Sequence, residues 1–333
     1  MSPSSSSPQP WRSLSIGNLV SASFQLYRNN LQPYLSISFQ AALWSGLSLV
    51  LLLLVVGISF ATSATDSAGI PRMPNWGVLI LLLLVWIGIA LYCSARTLAC
   101  AGAISRLAYQ ELTNQPEASR EASRFTQSRS GSFLGAAFLI GVIYLGLYIG
   151  FWIIFTVLAL LLMGIFAGIG IATQQSSSAG VVAGIFTVGL VLVATLLVLL
   201  FLSWFSARLS IWELPIAVER DATASNSIGR SMSLTKGNAW RIVIVLFVGF
   251  LITLPLFLLI QLGSWVVDLG LARFLADTDP LFQILSTLFG YLIGILGNIF
   301  LLPFWQALKA MIYYDLKVRR EGLGLELGRK NGA

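Results

Sequence analysis

Six long apolar stretches alternate with short polar segments along the chain. A helix needs about 20 mainly apolar residues to cross the roughly 30 Å hydrocarbon core of a bilayer, and each stretch is long enough. The sequence therefore predicts an all-α integral membrane bundle of six transmembrane helices, arranged as three hairpins. The stretches are Leu35–Thr62, Trp76–Ala99, Phe133–Ile171, Val181–Phe205, Ile242–Val267 and Leu281–Ile312.

The third stretch is longer than one span requires, since it runs for about 39 residues without a charge. A straight helix of that length measures about 58 Å at 1.5 Å per residue. Division into two spans at Gly146 and Gly150 would reverse the orientation of every later loop. We therefore expect one long or tilted helix, whose outer end continues as a short interfacial segment towards Gln174–Ser178.

The loop charges predict the orientation. If both termini are cytoplasmic, 18 of the 20 Lys and Arg residues lie on that side, and only Arg72 and Arg273 lie outside. This is a strong positive-inside pattern. Residues 1–10 lack the apolar core of a signal peptide, so the first span is expected to direct insertion. We expect a disordered tail over 1–12, a membrane domain over 13–322 and a flexible tail over 323–333.

Three similar segments, 23–30, 124–131 and 231–238, precede the odd-numbered spans. Each contains a basic residue (Arg28, Arg129 or Lys236) followed by small or polar residues and an apolar stretch. The pattern predicts three copies of one unit, in which an amphipathic leading helix at the membrane interface precedes a helical hairpin. A true internal triplication would give this pattern, and so would the boundaries of any positive-inside hairpin protein.

The first leading helix has an apolar face at helical spacing. This face is formed by Ile16, Leu19, Val20, Phe24 and Tyr27. Such a helix is expected to lie in the cytoplasmic membrane interface.

Composition narrows the possible chemistry. The chain is 57% hydrophobic and 10% charged, with a net charge of +7 and no histidine. Histidine metal sites and Ser-His or Cys-His nucleophile pairs are thereby excluded, and we expect no metal or cofactor. The two cysteines, Cys93 and Cys100, are seven residues apart and so share one helical face, where we expect them to act as packing residues.

Acidic residues near the inner face are the first functional candidates. Glu213 and Glu219 flank a proline after the fourth span and could relay protons or bind a cation. The favoured interpretation is a set of structural ion pairs with nearby arginines, which are Arg208, Arg220 and Arg230. Asp315, among Lys317, Arg319 and Arg320, is interpreted in the same way.

The remaining candidates concern helix packing and lipids. Asn298 lies within the sixth span, where it could satisfy backbone freed by Pro303, hydrogen-bond another helix or contact a substrate. Arg319 and Arg320 belong to the densest basic group, which would attract anionic headgroups or simply set the topology. Four pairs of glycines spaced by four residues are expected to allow close helix packing inside the bundle, or less favourably a homodimer face. The pairs are Gly146/Gly150, Gly164/Gly168, Gly180/Gly184 and Gly290/Gly294.

The segment Pro215–Glu219 together with Ile228–Arg241, which includes Arg230 and Lys236, resembles the signature of the glycerophosphoryl diester phosphodiesterase membrane-domain family. The stretches Ile16–Asn30 and Tyr313–Glu326 are similar to that family's usual beginning and ending. The resemblance implies a bacterial six-span module of largely unknown role. It does not imply diesterase activity, because the catalytic domain depends on histidines and a carboxylate cluster that have no counterpart here.

These patterns favour a non-catalytic membrane protein that organises lipids or partner proteins from the cytoplasmic face. The alternative is a transporter for a lipid or small amphiphile, and a membrane enzyme ranks third. The expected partners are lipids with anionic headgroups, together with a membrane protein partner or a second copy of the chain. Nucleic acid is disfavoured, because the basic residues are spread over membrane loops. The resemblance implies the bacterial plasma membrane, with a thylakoid or other internal membrane left open.

Overall fold

The computed structural model describes residues 15–62, 76–172, 177–276 and 279–322. Over these ranges the chain forms ten α-helices and no strands, which confirms the all-α prediction. The helices are α1 (Ile16–Asn29), α2 (Leu31–Thr62), α3 (Trp76–Leu112), α4 (Ser119–Ser128), α5 (Ser130–Ala172), α6 (Ser177–Leu209), α7 (Glu213–Val218), α8 (Ala224–Thr235), α9 (Ala239–Leu271) and α10 (Pro280–Glu321).

Six of the ten helices are long and apolar enough to cross a membrane, which confirms the predicted six spans. They are α2, α3, α5, α6, α9 and α10. The third span is one continuous helix, α5, as expected. The sequence predicts an interfacial segment beyond it, towards Gln174–Ser178. Residues 174–176 lie outside the described residues, and Ser177 already begins α6. Several spans run past their apolar stretch, since α10 continues from the predicted end at Ile312 to Glu321.

A short leading helix precedes each odd-numbered span, as the repeated segments predict. These helices are α1, α4 and α8. The N-termini of α1 and α8 are capped by hydroxyl groups. Ser15 Oγ accepts a hydrogen bond from the backbone N–H of Asn18, and Thr223 Oγ1 accepts one from the backbone N–H of Asn226. The predicted apolar face of α1 is partly wrong, since Phe24 is exposed while Leu26 is buried.

The three hairpins form a ring in chain order. The second span of each hairpin contacts the first span of the next, through α3 with α5, α6 with α9, and α10 with α2. Each leading helix packs on the hairpin before it, so that α4 lies on α3, α8 lies on α5 and α6, and α1 lies on α9 and α10. The architecture therefore follows the threefold pattern of the sequence, with α1 and α2 closing the ring against α10.

The densest packing is at one end of the ring, which we call the basic end. It comprises α1, α4, α7 and α8, the first turns of α2, α5 and α9, and the last turns of α3, α6 and α10. Its core contains Tyr34, Ile104, Leu214, Leu308 and Tyr313, all at most 1% exposed. By contrast, at most 17% of the residues in the most apolar window of any span are buried. The spans thus present their apolar side chains to lipid, as membrane helices must.

Close helix contacts occur at glycines other than the predicted pairs. At Gly146, Gly150, Gly290 and Gly294 a side chain would meet nothing within 4 Å, so these pairs do not pack inside the described bundle and that expectation is wrong. Gly164 and Gly184 are equally open, while the side-chain surroundings of 168 and 180 lie outside the description. Cys93 and Cys100 are each 1% exposed, which confirms their packing role.

Gly102 allows α3 to approach α5 closely. A Cβ at this position would lie 2.8 Å from Cε1 of Phe133 and closer still to Cζ, and the Phe133 ring is fully buried. The ring has no room to move, so a methyl group here would overpack the contact.

We predict that Gly102→Ala destabilises the protein by about 1–3 kcal/mol, as overpacking of a buried contact usually does. The measurement is unfolding in detergent micelles. Gly88→Ala in the same helix is the control, because nothing lies within 4 Å of its Cβ position. Adding Phe133→Leu to the Gly102→Ala variant should restore part of the loss. Equal effects of the two alanine substitutions would contradict the close contact between α3 and α5.

Candidate functional site: the charged end of the bundle

The short helix α7 lies at the centre of the basic end, between the fourth span and α8. Its first five residues, Glu213 to Ala217, are buried. Arg129, at the end of α4, donates to four backbone carbonyls in the last turn of α7 and the segment after it, which are those of Ile216, Glu219, Arg220 and Ala222. One guanidinium thus satisfies carbonyls that the end of α7 and the next turn leave unpaired.

A second arginine fixes α7 from the side of α3. Arg106 donates to the Ala217 carbonyl at 2.9 Å and forms an ion pair with Glu117 at 2.6 Å. Its guanidinium also lies 3.9 Å from the centre of the Phe125 ring, a cation–π contact. The two arginines therefore position the loop that carries Glu219.

Glu219 is the centre of a network that joins α7, α8 and α10. Its Oε1 accepts a hydrogen bond from the Tyr313 hydroxyl at 2.8 Å and lies 3.3 Å from Arg230 and 3.4 Å from Lys317. Arg230 also pairs with Glu321 at 2.7 Å. The expected ion pair between Glu219 and Arg230 is therefore confirmed, with Lys317 and Glu321 as further members.

This network holds Glu219 in its charged form. Partial burial opposes ionisation, but the Tyr313 hydrogen bond and the charges of Lys317 and Arg230 outweigh it and lower the pKa of the carboxyl below its ordinary 4.5. The Glu219 and Glu321 carboxylates in turn outweigh the effect of burial on Arg230 and raise its pKa. Since the pKa of Glu219 is lowered on folding, its contribution to stability is full at neutral pH and is lost only as pH falls through that lowered value.

Glu213 forms a separate and deeper ion pair. Its Oε1 lies 3.0 Å from Nζ of Lys309 on α10, and the two side chains are 8% and 20% exposed. Its second oxygen, Oε2, is buried without a hydrogen-bond partner in the part of the chain that the structure describes. Of the three arginines expected to neutralise the two acids, Arg208 pairs with neither in the described structure, because it faces α8 and donates to the Met232 carbonyl. Arg220 is exposed and has no acidic partner in the described structure.

The basic residues at the end of α10 also serve structure. Asp315 is 2% exposed and pairs with Arg241 on α9 and with Arg319 one turn later. Arg320 donates to the backbone carbonyl of Lys236, where the chain turns into α9 through Gly237 at a φ of +81°. The side chain of Lys236 is itself exposed. The Asp315–Arg241 pair and the Arg320 hydrogen bond thus fix α10 to its neighbours, while the Arg319–Asp315 pair lies within α10.

Asn298 lies far from this network. It lines an open groove of about 640 Å³ between α9 and α10, together with Gln261, Asp268 and Ser286. Asn298 is exposed and makes no hydrogen bond within the described chain, so neither of its two expected structural roles is seen. Asp268 accepts from Ser286 at 2.6 Å and closes the groove towards the far end of the hairpin.

A second groove, of about 620 Å³, opens at the basic end between α2 and α4. Its α4 wall contains Arg120, Ser123, Arg124 and Gln127, and its α2 wall contains Ser36, Ile37 and Gln40. Arg120 and Arg124 are exposed, and neither has an acidic partner among the described residues. Beside the groove, Arg96 donates to Oε1 of Gln127 at 3.3 Å. We call this the α2–α4 groove.

The comparison with protein families gives one match, to the domain of unknown function DUF7847 over residues 120–308. The match covers more than half of the 333 residues. This chain belongs to the DUF7847 family. No curated protein and no solved structure matches it. The family match does not support the resemblance to the glycerophosphoryl diester phosphodiesterase membrane domain.

In this DUF7847 protein the matched segment runs from the first turn of α4 to Leu308 in α10. It includes Glu213, Glu219 and Arg230, but it ends just before Lys309, Tyr313 and Lys317, which bind the two acids. Sequence reasoning missed these three partners. Their spacing of four residues places them on one helical face. This spacing is the sequence feature that could have identified them as a group. Across the described ranges no group of three or more acidic, cysteine or histidine residues could hold a metal ion.

We predict that Lys309→Met and Glu213→Gln each lower the free energy of unfolding by roughly 3–5 kcal/mol, because each leaves one buried group without its partner. The double variant should lose much less than the sum. Unfolding in detergent, analysed as a double-mutant cycle, measures the coupling. Arg220→Met is the control, since this arginine is exposed and has no acidic partner among the described residues. Strictly additive losses would show that the two side chains do not interact.

Proposed function

We propose that this DUF7847 protein is a non-catalytic membrane module that holds anionic lipids at the cytoplasmic face of the membrane. The observation that supports this most is the surplus of free cations at the basic end. After the internal contacts are formed, five exposed basic side chains there have neither an acidic partner nor a side-chain hydrogen bond in the described structure. They are Arg28, Arg120, Arg124, Arg220 and Lys236.

The acidic residues at this end support a non-catalytic role. Glu213, Glu219 and Asp315 each lie against a lysine or arginine from a neighbouring element. A general acid or base needs a poised pKa and access to its substrate. The lowered pKa of Glu219 instead favours a permanently charged structural group. We therefore assign these three acids to the framework that presents the basic surface.

The distribution of charge supports an orientation with the basic end in the cytoplasm. On this assignment the loop that contains Arg273 is external and the loop that contains Arg220 is internal. The same assignment places both termini in the cytoplasm. The bacterial plasma membrane remains the expected location, on the sequence resemblance alone.

We predict that a cysteine introduced by Arg273→Cys reacts with a membrane-impermeant maleimide in intact cells, whereas one introduced by Arg220→Cys reacts only after permeabilisation. The native Cys93 and Cys100 are each 1% exposed, so the unmodified chain supplies a low-background control. If only the Arg220→Cys variant is labelled in intact cells, the orientation is opposite to the one proposed.

We further predict that phosphatidylglycerol raises the unfolding temperature of the protein in lipid nanodiscs relative to phosphatidylcholine. Each exposed cation near an anionic surface contributes about 1 kcal/mol. The difference should shrink when salt is raised to about 1 M, because the Debye length falls to about 3 Å. An unfolding temperature independent of lipid charge would contradict the proposal.

The same protein in vesicles tests the transporter alternative, whose support is the polar groove between α9 and α10. Transfer of a labelled phospholipid between leaflets faster than in protein-free vesicles would favour transport. Transfer at the protein-free rate, together with the stabilisation by anionic lipid, is the result we expect.

A further inference from the structure

We propose that the α2–α4 groove is a binding site for the phosphate headgroup of a single anionic phospholipid from the adjacent leaflet. This inference rests on the proposed function and assigns it a specific site. The groove differs from the rest of the basic end in its place in the threefold architecture, in its charges and in its position beside lipid-facing residues.

The threefold arrangement creates three places where a leading helix faces the first span of the preceding hairpin. Two of them are filled by apolar side chains, and the cavity left at the first has a volume of only about 10 Å³. Leu19 of α1 packs with Ile242 and Val245 of α9, and Ile228 of α8 packs with Ile140 of α5.

The third place is the α2–α4 groove, and it is open. α4 packs on α3, α5 and α7 but scarcely touches α2. The α4 residues at the groove are polar or charged. The position that is closed by apolar packing elsewhere in the ring is thus left here as a recess with a polar α4 wall.

The charges of the groove suit a phosphodiester. Arg120 and Arg124 are four residues apart and lie on the same face of α4, so their guanidinium groups can converge on one anion. Guanidinium groups bind phosphate oxygens through paired, charge-assisted hydrogen bonds. The other two arginines near α4 already have partners. Arg106 forms an ion pair with Glu117, and Arg129 donates to backbone carbonyls.

A third cation reinforces the site from the membrane side. Arg96 lies over the rings of Trp44 and Tyr92, at 5.9 and 5.2 Å from their centres, and donates to Oε1 of Gln127. Since this hydrogen bond holds the oxygen of the Gln127 amide, its NH₂ group is the part that can donate to a ligand. Arg96 therefore adds positive charge and sets the direction of the Gln127 amide.

The α2 wall matches the amphiphilic character of a lipid. Ser36 and Gln40 at the groove share one helical face with Leu43 and Leu47, which follow one and two turns further into the span. These two leucines are 57% and 44% exposed. A headgroup in the groove would therefore place its acyl chains along an exposed apolar strip. The groove volume of about 620 Å³ is within the range of ligand sites, about 300–1,000 Å³.

The other large groove is unsuited to an anion. The α9–α10 groove contains the carboxylate of Asp268 and no basic residue in its lining. It would repel a phosphate rather than bind one. The charge of the α2–α4 groove is thus specific to that location.

The experiment compares two double variants with the same loss of charge. Arg120→Gln with Arg124→Gln removes both free cations of the groove. Arg28→Gln with Arg220→Gln is the matched control, because these exposed arginines also lack acidic partners over the described ranges but do not line the groove. Native mass spectrometry of the full chain in detergent, titrated with phosphatidylglycerol, counts bound lipids. Unfolding in lipid-free detergent verifies that both variants fold.

We expect the unmodified protein and the control to retain one tightly bound phosphatidylglycerol, and the groove variant to bind it at least about tenfold more weakly. Inorganic phosphate should not compete, because it lacks the acyl chains. Displacement of the lipid by inorganic phosphate would overturn the lipid assignment in favour of a soluble anion.

Two further outcomes separate this inference from the proposed function. Equal weakening in both double variants would overturn the groove site and leave a diffuse basic surface that holds lipid, as the proposed function states. Unchanged binding in both variants would overturn the groove site alone, whereas failure of the unmodified protein to bind phosphatidylglycerol would overturn the proposed function as well.

Discussion

The structure depends on the contact between the last turns of α10 and the short helix α7. Lys309, Tyr313 and Lys317 lie on one face of α10 and bind two acids, Glu213 at the start of α7 and Glu219 directly after its end. Through these bonds the sixth span is fixed to the segment between the fourth and fifth spans. Since α1 and α2 also pack on α10, this single helix connects all three hairpins.

The membrane makes this contact more important than it would be in water. Lipid tails solvate apolar side chains as well as another helix does, so the hydrophobic effect gives little drive for spans to associate within the bilayer. The spans are accordingly little buried, whereas the basic end has a dense core around Tyr313, Ile104 and Leu214. The ring is therefore held together mainly at one end, and its hairpins extend from there into the lipid.

The sequence predicted those features that follow from hydropathy and charge. Six spans, the unbroken third helix and the leading helices all follow from the length and periodicity of the apolar stretches. It did not predict which cation meets which acid, because partners about 95 residues apart, such as Glu213 and Lys309, depend on how the hairpins are arranged in the ring. Local proximity suggested Arg208, but its position on α6 directs it towards α8.

The glycine pairs and the α2–α4 groove both show what residue spacing can and cannot predict. Spacing alone shows that residues share a helix face, but it does not show what that face meets. Gly146 and Gly150 share a face that meets nothing within the described chain, while Arg120 and Arg124 share one that borders a recess. A ring of three similar units would be expected to close alike at each junction. The α2–α4 groove is the junction lined by arginines that have no acidic partner in the described structure, instead of by apolar residues. Selection for binding, rather than for packing, therefore best accounts for its side chains.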